Sequence, residues 1–162
     1  RLRDYAIAQL MLQAGLRVFE VAALNIDDVD FRRNILTVRA GKGDKMALLP
    51  MNKDLVRALQ DYISVRPDIG ESFFLSNKGN RYSERGMQYQ FRKYFDQINL
   101  PDTTIHSLRH SFCRNLLDKK TELTVVAELA RHESLETTRM YLTPSQFDLR
   151  LAVAKISEED DI

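Results

Sequence analysis

Four short stretches of this 162-residue sequence carry side chains that could do chemistry, and the first of them suits an anion such as a phosphate. In His106-Ser107-Leu108-Arg109-His110, an imidazole and a guanidinium at i and i+3 share one face of a predicted helix and can converge on one anion. Gly15-Leu16-Arg17-Val18-Phe19-Glu20 opens a helix with an arginine directly after a glycine turn, and Glu20 stands one turn on to hold its orientation. Alone, that pair reads as a surface ion pair worth a few tenths of a kcal/mol. Lys42 sits between Gly41 and Gly43, which allow close backbone approach to another molecule and let the lysine project from a loop. His132 precedes Tyr141 by nine residues. A tyrosine at helical spacing is most often a core residue.

His106 and His110 are also spaced like paired zinc ligands on a helix, but Ser107 stands where a zinc protease has Glu. The remaining donors are His132 and one cysteine, so no metal site and no cofactor are expected, and His110 is read as a packing residue or one that supports a neighbouring site residue.

The elements that must position these residues follow from periodicity. Residues 1–14 show apolar spacing of a buried helix stopped by Gly15, and a second short helix is predicted over 17–24. Residues 25–30 are polar and acidic and read as a connection. Apolar runs at 35–40 and 46–51 flank Gly-Lys-Gly-Asp, which predicts a β-hairpin with Lys42 at its tip. Asn52 caps a helix through Ser64, and Ser83 caps another to about Ile98. Further helices are predicted over 106–119, 123–131, 135–141 and 145–156. The expected fold class is mainly α with one small antiparallel β-hairpin or sheet (α+β), in a single domain spanning 1–162.

Taken together and in order, the motifs resemble the tyrosine recombinase family of phage and transposon integrases and Xer-like proteins. They are Gly-Leu-Arg-x-x-Glu at 15–20, Gly-Lys-Gly-x-Lys at 41–45, His-x-Leu-Arg-His at 106–110 and His-x-Ser-x-x-Thr-Thr-x-x-Tyr at 132–141. The resemblance implies a recombinase catalytic-domain fold and site-specific cleavage and rejoining of DNA through a 3′-phosphotyrosyl intermediate. It implies Tyr141 as nucleophile, Arg17 and Arg109 as the phosphate clamp, Lys42 as general acid, and His106 and His132 as supporting residues. Double-stranded DNA is the implied partner, with a homotetramer on DNA, a monomer when free, and residues 145–156 mediating assembly. A type IB topoisomerase-like activity and a DNA-binding module without catalysis are the alternatives. Lys45, Arg81 and Arg131 are expected to touch DNA phosphates. One departure is Ala130-Arg131, where the family commonly has Leu-Gly; Arg131 is expected to alter a local helix start or add a phosphate contact.

Composition fits this reading. Hydrophobic residues make up 44% and charged residues 29%, a soluble globular balance that excludes disordered and membrane-spanning classes. The expected location is cytoplasmic, and lone Cys113 is expected to be a small core residue. The net charge of +1 would be +5 without Glu158, Glu159, Asp160 and Asp161, and residues 157–162 read as a solvated acidic tail. The sequence opens in a helical pattern without Met, so an N-terminal DNA-binding domain is expected upstream of Arg1.

Overall fold

The computed structural model describes residues 1–39, 46–132, 138–139 and 146–158. Its helices are α1 (Leu2–Gln13), α2 (Val18–Ala23), α3 (Lys53–Val65), α4 (Glu84–Gln97), α5 (His106–Asp118), α6 (Leu123–Ala130) and α7 (Gln146–Glu158). Strands β1 (Val29–Asp30), β2 (Ile35–Arg39) and β3 (Met46–Pro50) form one antiparallel sheet in the order β1-β2-β3. The fold is therefore mainly helical with a small sheet, as expected. The predicted hairpin pairs Arg39 with Met46 and Ile35 with Pro50. Its tip, with Lys42 and Lys45, lies outside the described residues. Of the predicted 135–141 helix, only Thr138 and Arg139 are described, and both are helical.

The segment read as a connection is more ordered than expected. Residues Ile26–Asp28 form a 3-10 turn, and Val29 and Asp30 then pair with Leu36 and Ile35, adding a third strand. Two residues are too few to show a period of two, and the flanking acids mask the signal.

Helix α1 is the central element. Its Ala6, Ile7, Leu10 and Met11 are fully buried, and it packs against α3 and α5. Burial of side chains the size of Ile7, Leu10 and Met11 stabilises a fold by roughly 1.5–3 kcal/mol each. Helix α3 places Leu55, Ala58, Leu59 and Tyr62 on one buried face, the spacing of an amphipathic helix. Asn52 caps it by accepting from the Leu55 amide at 3.0 Å, and Ser83 caps α4 by accepting from the Gly86 amide at 3.0 Å. Tyr62 packs with Phe73 and Phe74, and its hydroxyl accepts from the Leu75 amide at 3.1 Å. This cluster holds the irregular stretch between α3 and α4 to the core.

A second, smaller core joins α5 to α6 through Phe112, Cys113, Val126 and Ala130. Cys113 is a buried core residue, and burial pushes its thiol pKa up. No helix among the described residues is long and apolar enough to cross a membrane.

Candidate active site

Arg17, Arg109 and His132 come from three separated parts of the chain, and two helix ends bring them together. The first is the end of α1. Gly15 takes a left-handed backbone with φ +67°, and the Leu16 amide reaches back to the Leu10 carbonyl at 3.5 Å. This reversal delivers Arg17 to the N-cap position of α2. The Arg17 amide donates to Glu20 Oε1 at 2.8 Å, and its Nη1 lies 3.5 Å from the same oxygen.

The second is the end of α6. Arg131 follows it in a left-handed conformation, φ 58° and ψ 41°, and the His132 amide donates to the Ala127 carbonyl at 2.9 Å. The start of the next helix lies outside the described residues, and Arg131 stands at the end of this one. This is the position at which glycine is favoured, because a side chain there costs roughly 1–2 kcal/mol. The terminal carbonyls of α6 face the arginines. Arg109 Nη2 donates to the Ala130 carbonyl at 2.6 Å, and its Nη1 donates to the Gly15 carbonyl. Arg17 Nη2 lies 3.4 Å from the Arg131 carbonyl. Helix-end carbonyls carry partial negative charge, which suits them to orienting guanidiniums without neutralising them.

Glu20 is the buried anion of the cluster, with only 2% of its side chain exposed. The sequence makes it a partner of Arg17 on the surface. Its main partner is instead Arg131, whose Nη2 lies 2.7 Å from Oε1 and whose Nε lies 3.2 Å from Oε2. The Nη1 of Arg131 donates to the Leu129 carbonyl at 2.9 Å. No local sequence signal foretells this pair, because its members are 111 residues apart.

The electrostatics follow from this crowding. Burial, then the charges of Arg17 and Arg131, push the Arg109 pKa down to about 10, so it remains a cation at neutral pH. Burial and the same arginines push the His132 pKa down to about 4, so its ring is neutral there. His132 Nδ1 lies 2.6 Å from the hydroxyl of buried Thr138, which fixes the orientation of the imidazole.

His106 sits one turn before Arg109 on α5, exposed, at the edge of a cleft of about 340 Å³ that Arg85, Gln88, Tyr89 and Arg92 of α4 also line. His110, read from sequence as packing or as supporting a neighbouring site residue, is exposed, and its pKa is lowered by partial burial and by Arg109 and His106. Arg81 is turned into the chain, donating to the carbonyls of Ala22 and Leu24 at 3.0 and 3.3 Å and to Asn25 Oδ1 at 2.6 Å. Tyr141, Lys42 and Lys45 lie outside the described residues.

Two guanidiniums and a neutral imidazole are grouped around helix-end carbonyls, and residues 1–146 match the phage integrase family. The chain belongs to this family. It is 35% identical over 157 residues to the tyrosine recombinase XerA of Pyrococcus horikoshii, an overlap of 95% of this chain and 55% of that protein. It is 36% identical over 150 residues to the tyrosine recombinase XerC of Roseiflexus castenholzii, covering 87% of this chain and 47% of that one. Among solved structures it superposes on XerA recombinase with a TM-score of 0.83 at 29% identity, over 96% of this chain and 57% of that one. The Tn1549 transposon integrase, solved in complex with transposon right end DNA, superposes with a TM-score of 0.81 over 94% of this chain and 58% of that one. At 21% identity this second likeness concerns the fold alone. The chain spans about half the length of the curated relatives it matches.

Proposed function

We propose that this chain is the catalytic part of a tyrosine-type site-specific DNA recombinase acting in the cytoplasm, and that Tyr141 is its nucleophile. The observation that carries the reading is the convergence of Arg17 and Arg109 beside neutral His132. Tyr141 Oη attacks the phosphorus of a DNA strand, the bond to the 5′-oxygen breaks, and a 3′-phosphotyrosyl bond forms. The phenolic proton passes to His106, and Lys42 protonates the departing 5′-oxygen.

Extra negative charge develops on the non-bridging oxygens in the transition state. Two planar guanidiniums bind these oxygens with fixed geometry, and helix-end carbonyls hold Arg109 in place before the DNA arrives. The phosphotyrosyl bond retains the energy of the broken phosphodiester, so a 5′-hydroxyl reverses the step without a cofactor. Assembly as a tetramer on DNA through α7 is part of the proposal, and the exposed Leu149, Val153 and Ile156 of α7 support it. Lys45 is the proposed phosphate contact outside the clamp. Arg81 and Arg131 would join it only by releasing the internal acceptors they now hold.

The test is a nicked suicide substrate carrying the candidate recombination site, incubated with the full-length protein and run on a denaturing gel. The expected result is a covalent protein–DNA complex that disappears with Tyr141→Phe. A bound site with no complex would reduce the chain to a DNA-binding module. Relaxation of supercoiled DNA lacking the site would point to topoisomerase-like chemistry.

A further inference from the structure

Thr137 and Thr138 are the part of the fourth motif to which the resemblance gives no role. Thr138 is fully buried, and its hydroxyl lies 2.6 Å from Nδ1 of His132. The backbone of His132 is held as well, by donation of its amide to the Ala127 carbonyl at 2.9 Å. With Nδ1 turned to the threonine, Nε2 is the ring nitrogen that can meet an anion drawn to Arg17 and Arg109. Burial and the neighbouring arginines keep this ring neutral at neutral pH. A neutral imidazole carries one N–H, and the partner of one nitrogen decides which of the two holds the proton.

We propose that Thr138 is a positioning residue that sets the tautomer of His132: its hydroxyl donates to Nδ1, which keeps the ring proton on Nε2 and makes the ring a hydrogen-bond donor to a phosphate oxygen. The inference rests on the recombinase reading for its consequence in cleavage, but the tautomer is a property of this chain alone. The reverse arrangement, with Nδ1–H donating to the hydroxyl, would turn an Nε2 lone pair toward the phosphate oxygens, and lone pairs repel. Only donation by Thr138 adds a third donor to the two guanidiniums. It does so without adding another charge where Arg17, Arg109 and Arg131 already crowd the ring. A donor fixed in advance at this locus acts on the negative charge that develops in the transition state. A buried threonine on a helix suits the task, because its β-branched side chain has few rotamers and its hydroxyl proton can turn toward a lone pair.

The experiment uses the full-length protein, isotopically labelled in its histidine nitrogens, with the variants Thr138→Ser and Thr138→Val. The ring signals of His132 are assigned by their loss in His132→Gln. At neutral pH the NMR spectrum of the unaltered protein is expected to show a bare Nδ1 and a protonated Nε2. Thr138→Ser keeps the hydroxyl and should retain both this tautomer and most of the cleavage rate. Thr138→Val keeps the shape and removes the hydroxyl, so the two tautomers should mix. The rate of covalent complex formation at saturating suicide substrate should then fall by about ten- to a hundredfold, the scale known for partners that orient a ligating histidine. In a His132→Gln background, Thr138→Val should cost little more, because an amide has no tautomer to set. A threonine that only stabilised the fold would slow both backgrounds alike.

A proton on Nδ1 of His132 in the unaltered protein, or a folded Thr138→Val that cleaves as fast as Thr138→Ser, would overturn the proposal. If Thr138→Val fails to fold, the tautomer of the unaltered protein and its retention in Thr138→Ser decide the matter. If the unaltered protein binds its site and forms no covalent complex, the recombinase reading falls, and the ring spectrum of His132 still decides the inference.

Discussion

Gly15 lies against the ring of Phe112 so closely that a methyl group on its Cα would stand 2.3 Å from Phe112 Cδ1. The contact joins the end of α1 to α5, and the Gly15 carbonyl is also an acceptor for Arg109. Packing and site geometry therefore meet at one residue. Gly15→Ala combines a strained left-handed backbone with overpacking and is expected to cost about 3 kcal/mol. A thermal melt should show this as a drop of roughly 10 °C for a domain of this size. Cleavage by the fraction that remains folded should also slow, since the Gly15 carbonyl must shift. A melting temperature within two or three degrees of the original would refute the packing argument.

His132 supplies a pH prediction with a definite sign. Burial comes first, then the charges of Arg109, Arg17 and Arg131, and together they hold its folded pKa near 4, against about 6.5 in an unfolded chain. Between those values the unfolded chain binds the extra proton and the folded one does not. Its contribution to stability is therefore intact above about pH 6.5 and lost progressively as pH falls toward 4. The ring is partly exposed, so solvent screening reduces the size of the effect. An NMR titration of the His132 ring should give a midpoint near 4, moving upward in Arg109→Ala. A midpoint at the ordinary histidine value would show that water reaches the arginine cluster freely.

Arg81 gives a test that separates fold from DNA binding. Its guanidinium ties the segment before α4 to the end of α2 through Ala22, Leu24 and Asn25. Arg81→Ala is expected to lower stability by about 1–2 kcal/mol, the scale of losing charge-assisted hydrogen bonds. The dependence of DNA affinity on salt should be unchanged, because only a cation that neutralises a phosphate contributes to that slope, by close to one unit each. A reduced slope with unchanged melting would place Arg81 on DNA instead.

Much of this fold is legible in the sequence because its signals are local. The buried face of α3, the caps Asn52 and Ser83, and the two runs flanking Gly41 and Gly43 each announce an element within a few residues. The order of the motifs brings Arg17, Arg109 and His132 into one reading without any knowledge of their positions. What stays hidden depends on distant partners. Glu20 reads as exposed because its burial is created by Arg131, and Asp4, also buried, is held by Arg3 and by Tyr94 ninety residues on. Strand β1 exists only because β2 pairs with it. A buried carboxylate announces itself through its cation, and nothing near Glu20 in the sequence points to Arg131.

Arg109 is the residue at which a conservative change should be most costly. Its two terminal nitrogens are held by the carbonyls of Gly15 and Ala130, on two different elements, so its fork is fixed before any phosphate binds. A lysine has one nitrogen, and it cannot span both carbonyls while facing a phosphate oxygen. Arg109→Lys should therefore reduce single-turnover cleavage by about 10²–10³, the loss typical of removing one preorganised donor from a transition state. The pH profile gives a second readout. Burial and the neighbouring Arg17 and Arg131 already push Arg109 down to about 10, and a lysine exposed to the same forces gives up its proton at lower pH than it would in water. Residual activity of Arg109→Lys should fall as pH rises through the mildly alkaline range, where the unaltered protein keeps its charge. A lysine variant with nearly full activity and an unchanged profile would show that Arg109 acts only as a point charge, and that the carbonyl cradle at the end of α6 has no part in catalysis.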